Sequence, residues 1–121
     1  MANFKPWDVV KVPFPYTDRP VRQYRPGLVV SVGPAPSDRG LLWVLMITSA
    51  DNRGWDDDVA ISDLETAGLP APSVVRCAKI ATIEGHDAER IGSLPRADRR
   101  NVSEYLARAL AATATGGAAR R

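Results

Sequence analysis

The sequence predicts a mainly β domain finished by one C-terminal helix, and three observations carry that prediction. β-branched runs recur between proline and glycine breakers as far as Ile83. Helical periodicity longer than one turn is confined to the C-terminal end. A chain of 121 residues, 45% of them hydrophobic, can bury one core without disulfides.

The elements follow in order. Trp7-Asp8-Val9-Val10-Lys11-Val12, bounded by Pro6 and Pro13, reads as a strand. Pro13, Pro15, Pro20 and Pro26 then forbid a helix and predict a long irregular connection holding Phe14, Tyr16, Tyr24, Arg19, Arg22 and Arg25. Gly27–Val32 is a second strand, continuous enough to be buried on both faces. Gly33–Gly40 is a loop by its breakers, and Leu41–Thr48 is the most apolar strand. Val59–Ile61 is a short strand after the acidic run Asp56-Asp57-Asp58. Ser62 and Glu65 have capping-box spacing and Gly68 supplies a left-handed stop, so a one-turn helix is expected from Asp63 to Ala67. Ser73–Ile83 forms one or two strands. Ser93 is the expected N-cap of a helix over Leu94–Ala111, with Pro95 in its first turn and Leu94, Val102, Leu106, Ala109 and Leu110 on one face. One domain is expected over 1–112, with 113–121 a frayed tail.

Composition narrows the function classes. No apolar run approaches the roughly 20 residues of a membrane span, and Met1–Pro6 has no apolar leader core, so a cytoplasmic protein is expected. A single cysteine, Cys77, suits a reducing compartment. With one Cys and one His the chain lacks the usual zinc ligands, and no metal or other cofactor is expected. The net charge of +2 permits a nucleic-acid partner without arguing for one.

Most catalytic signatures are absent: there is no glycine-rich phosphate loop, no serine elbow and no histidine pair at metal spacing. Cys77, in an apolar strand, is expected to pack, and His86 to sit in a solvated turn. Consecutive carboxylates point in different directions, so Asp56-Asp57-Asp58 reads as a solvated acidic edge. The arginines and aromatics of the first loop suit either of two roles, clamping and stacking single-stranded nucleic acid or covering the end of the sheet. Thr48, ending the most buried strand, either satisfies a backbone group or faces a cleft.

Four ordered pieces bring a resemblance. Trp7-Asp8-Val9-Val10 leading to Pro13-Phe14-Pro15-Tyr16-Thr17-Asp18, then Arg25-Pro26-Gly27-Leu28-Val29-Val30-Ser31, Met46-Ile47-Thr48-Ser49 and Gly68–Arg76 together resemble the MazF/PemK family of bacterial toxins. Ile91-Gly92-Ser93-Leu94 fits as well, and the similarity runs from about Trp7 to Leu110. The resemblance implies an SH3-like small β-barrel of the MazF/PemK/CcdB type with a C-terminal helix, assembled as a homodimer. It implies a type II toxin that cuts single-stranded RNA at specific sequences without a metal and that a cognate antitoxin neutralises.

Carried onto this chain, the resemblance makes Arg25 and Thr48 the catalytic pair. It places RNA contacts at Phe14, Tyr16, Arg19, Arg22, Tyr24, Ser49, Asn52 and Arg76, with Arg76 alternatively supporting structure. Attack by the neighbouring 2′-hydroxyl needs alignment and charge stabilisation, which a guanidinium clamp and one hydroxyl donor supply. The proton acceptor has three candidates: water, Asp18 or a perturbed Arg25. The chain departs from the PemK pattern in having Ala78 where an aspartate follows Arg-Cys, and Trp7 where a turn glycine precedes Asp-Val-Val. Two alternatives share the barrel, a CcdB-like gyrase poison without nuclease chemistry and an inactive homologue that only binds antitoxin.

Overall fold

Strand β1 (Asp8–Phe14) is entered through Trp7, whose φ of 81° lies in the left-handed region. That conformation favours glycine, since a side chain costs about 1 kcal/mol in it. Trp7 is held by both backbone groups: its N–H donates to Val29 O at 2.8 Å, and its carbonyl accepts from Leu94 N at 2.8 Å. Its ring packs on the core, with the Arg99 guanidinium 5.6 Å from the ring centroid.

The computed structural model describes residues 4–14, 23–32, 40–52 and 54–119. β1 pairs with β2 (Gln23–Val32), β2 with β3 (Leu41–Ser49), and β3 with the long β5 (Ser73–Glu84). The edges are β4 (Asp58–Ala60), on β5, and β6 (Glu89–Ser93), on β1. All neighbours run antiparallel, in the order β4-β5-β3-β2-β1-β6. In β5 the register jumps from Leu45↔Ile80 to Met46↔Arg76, a bulge that bends the strand at Cys77, Ala78 and Lys79.

Bending brings the two ends of the sheet together through helix α1 (Leu64–Ala67). The helix ends at Gly68, with φ 74°, where an added Cβ would overlap the Ile91 carbonyl. A Cβ at Gly92 would likewise overlap the Ala67 backbone. Two glycines thus let α1 seat against β6, and the result is a small barrel-like sheet. One core cluster, including Val9, Leu28, Leu45, Ile47, Val75 and Cys77, lies beneath Leu94 and Val102. A second, on the other face, joins Val10, Val12, Val29, Val44 and Met46. Helix α2 (Arg96–Ala119) is tied down by Asp98, a buried carboxylate that accepts from Ser62 N at 2.8 Å and Ser62 Oγ at 3.1 Å.

Several expectations are corrected. Ser62 is not the α1 cap: its groups are taken by Asp98, and Asp63 accepts from Glu65 N and Thr66 N instead. Ser93 does not cap α2 because it pairs with Asp8 in β6, a strand not expected from the sequence. The helix starts at Arg96, and its alanine-rich end runs beyond Ala111 to Ala119. Leu110, assigned to the buried face, is 53% exposed. Residues expected in irregular connection, Pro13, Phe14 and Gln23 to Pro26, belong to the β1–β2 ladder.

Trp7→Gly and Trp7→Ala both lose the ring, but only alanine keeps the strained φ. The glycine variant is expected to be the more stable by about 1 kcal/mol in denaturant melts. Equal stabilities would show that Trp7 carries no backbone strain.

Candidate functional site

The β2–β3 ladder ends at Gly27↔Met46. Continued by two residues, that register would set Pro26 against Ile47 and Arg25 against Thr48. It does not continue, and Pro26 has no N–H with which to extend it. Beyond this point β2 stays with β1, where Arg25 faces Val12, and β3 stays with β5, where Thr48 faces Val74.

The strands diverge into a cleft of about 370 Å³. Arg25 and Thr48 line it from the two strands, joined by Lys11, Pro26, Ile47, Ser49, Ile91 and the segment Gly68–Ser73. Residues of both alternations contribute, as expected of an opening between strands rather than a groove along one face. Among the described residues Lys11 and Arg25 are its charged lining residues, and no described carboxylate lines it. The rest is apolar or hydroxyl-bearing, so the cleft suits an anion with flat or apolar parts.

A 3-10 turn, Ala50–Asn52, caps the rim. Its start is fixed by Ala50 N donating to Pro72 O at 2.9 Å, and Asp51 N donates to Ser49 Oγ at 3.2 Å. Asn52 Nδ2 donates to Thr48 Oγ1 at 3.1 Å, so two residues named from sequence meet directly. Tyr24, next to Arg25 on β2, is largely exposed. Tyr16, Arg19, Arg22 and Asp18 lie outside the described residues, as does the side chain of Phe14, whose backbone ends β1.

Behind the rim stands a pair that sequence reasoning missed. Arg76 is only 8% exposed, and Asp58 is its direct partner across β4–β5. Arg76 Nε donates to Asp58 Oδ1 at 3.0 Å and Nη2 to Asp58 Oδ2 at 2.9 Å, a bidentate fork. The same Nη2 donates to the Asn52 carbonyl at 2.6 Å, and the Trp55 ring lies 4.2 Å from the guanidinium. The hydrogen bond from Arg76 holds the Asp58 carboxyl below the usual carboxylate range, and that carboxylate raises Arg76 in turn. Asp58 is therefore no solvated edge residue, although β4 is an edge strand. An arginine inside an apolar strand was the available signal, because burial demands a counter-charge.

The remaining candidates are peripheral. The Cys77 thiol is buried and pushed up to about 12 by burial and by Asp57 and Asp58, which fits packing rather than nucleophilic attack. His86 is exposed between Glu84 and Asp87, and its hydrogen bond to Glu84 raises its pKa. Among the described residues no three His, Cys, Asp or Glu side chains gather as a metal site.

Removing one partner of the buried fork leaves the other charge uncompensated. Asp58→Asn is expected to cost about 3 kcal/mol at neutral pH. Because Asp58 is depressed on folding, its contribution is complete above its ordinary value of 3.8 and is lost as pH falls below that. The variant should therefore lose less stability than the parent on acidification from pH 5 to pH 2 (about three units), as followed by urea melts. Parallel acid limbs would contradict the assignment.

Comparison with curated proteins gives no match. A family model described as PemK-like, MazF-like toxin of type II toxin-antitoxin system matches residues 5–110. That span takes in every strand, both flanks of the cleft and most of α2. The chain belongs to the PemK-like, MazF-like toxins of type II toxin–antitoxin systems.

Proposed function

We propose that this toxin is a metal-independent, sequence-specific endoribonuclease that cuts single-stranded RNA and thereby arrests growth. The observation that carries the reading is the cleft at the ladder break, flanked by Arg25 and Thr48, whose described lining holds two cations and no carboxylate. An RNA strand offers what such a cleft suits, an anionic backbone with flat bases.

In this reading the 2′-hydroxyl oxygen attacks the adjacent phosphorus and the bond to the 5′-oxygen breaks. A 2′,3′-cyclic phosphate and a 5′-hydroxyl result. The 2′ proton leaves to an acceptor, and the departing oxygen gains one. Arg25 clamps the nonbridging oxygens, where negative charge grows, and Thr48 donates one hydrogen bond to fix the phosphate. Lys11 adds charge at the cleft wall. The 2′-hydroxyl requirement makes RNA the substrate and excludes DNA.

Membership in a type II system supplies the antitoxin as a partner. We propose that its inhibitory segment is acidic and folds into this cleft, against Lys11, Arg25 and the Leu69–Pro70 wall. A homodimer working in the cytoplasm completes the proposal. Exposed Leu41, Trp43 and Ile80 lie on adjacent strands β3 and β5 and offer an apolar surface for dimerisation. Among the described residues no helix is long and apolar enough to cross a membrane.

The test is purified protein on a mixed-sequence single-stranded RNA in EDTA, with cut ends mapped by sequencing. Discrete cuts sharing a short motif and ending in cyclic phosphate are expected. Arg25→Ala should slow cleavage by roughly a hundredfold to a thousandfold, and Thr48→Val by a smaller factor, without loss of fold. Undiminished cutting by Arg25→Ala, or intact RNA with the parent, would sink the reading.

A further inference from the structure

The fork behind the rim reaches the cleft through a chain of hydrogen bonds. We propose that Arg76, braced by Asp58, is a positioning residue for the Thr48 hydroxyl, acting through Asn52. The proposal rests on the reading of Thr48 as a phosphate contact.

Both oxygens of Asp58 accept from Arg76, which fixes the plane of the guanidinium. With that plane fixed, Nη2 reaches the Asn52 carbonyl at 2.6 Å, the shortest hydrogen bond Arg76 makes. Asn52 closes the 3-10 turn, and its side chain returns to Thr48 Oγ1 at 3.1 Å. A hydroxyl oxygen that accepts from an amide keeps its own proton for another acceptor. Asn52 thus selects the rotor state in which Thr48 donates, the state that serves a phosphate. An exposed asparagine at a turn end has no reason of its own to hold one orientation, and the carbonyl anchor supplies it.

Arg76 is poorly placed to meet RNA itself. Nε and Nη2 are committed, the Trp55 ring covers the guanidinium at 4.2 Å, and little of the side chain reaches water. Trp55 also shields the fork from solvent, which strengthens its hydrogen bonds. Contact with a phosphate through Nε or Nη2 would require the fork to open and Asp58 to stay buried without its counter-charge.

The experiment compares the parent with Arg76→Met, with the double variant Asp58→Leu/Arg76→Met, and with Asn52→Ala. The double variant replaces the buried pair by apolar side chains, a change that often leaves stability intact, and its melting curve checks that. On an RNA with one cleavage site, kcat should fall on the order of tenfold to a hundredfold in the double variant, with KM nearly unchanged. Asn52→Ala should show a similar loss, and adding Arg76→Met to it should cost little more. Binding of an RNA with 2′-deoxy at the cleavage site should keep the parent's salt dependence.

A raised KM with a salt slope shallower by about 0.7 would make Arg76 a phosphate contact and overturn the proposal. An unchanged kcat in a folded double variant, or losses that multiply, would overturn it too. Should the parent leave RNA intact, the nuclease reading fails separately. The positioning claim is then judged by the Asn52 side-chain amide protons, whose exchange should be slower in the parent than in the double variant. Equal exchange would refute it.

Discussion

A strand in the middle of a sheet must give hydrogen bonds on both sides, and at Pro26 this one cannot. β2 keeps β1 on one side from Gln23 to Leu28, but on the other side it loses β3 just where its N–H is missing. The opening between Arg25 and Thr48, its polar rim and its apolar back wall all follow from that break. The wall is held in turn by the approach of α1 to β6, which Gly68 and Gly92 permit. Barrel closure and cleft shape are therefore one mechanical problem.

The second constraint is electrostatic. Setting an arginine in an apolar strand is costly unless a carboxylate meets it, and Asp58 does so from the edge strand. That need explains how a three-residue strand, β4, is kept in place at the end of the sheet. It also places a rigid cation against the turn that carries Asn52. Structural economy at the edge and order at the rim share the same two side chains.

Strands with continuous β-branched runs were legible in the sequence, because burial on one or both faces leaves its mark on residue choice. β6 was not, since Glu89-Arg90-Ile91-Gly92-Ser93 owes its place to pairing with β1 rather than to apolar content. Prolines were read too strongly as strand ends. Pro13 and Pro26 sit within the β1–β2 ladder, and only the far side of β2 lacks a partner at Pro26. Of the site, the motif residues Arg25 and Thr48 were named from resemblance, and the cleft gives their proximity a cause. The Asp58–Arg76 fork stayed hidden because three adjacent aspartates look uniformly solvated. Nothing local says which one turns inward across a strand pair 18 positions away in sequence.

The burial of Cys77 has a practical consequence. Only the thiolate reacts with alkylating reagents, and a thiol whose pKa stands near 12 is almost wholly protonated at neutral pH. Unfolding returns it to the ordinary range and to solvent. The chain thus carries one internal chemical clock: labelling of its single sulfhydryl counts opening events of the core, with no probe introduced and no background from a second site.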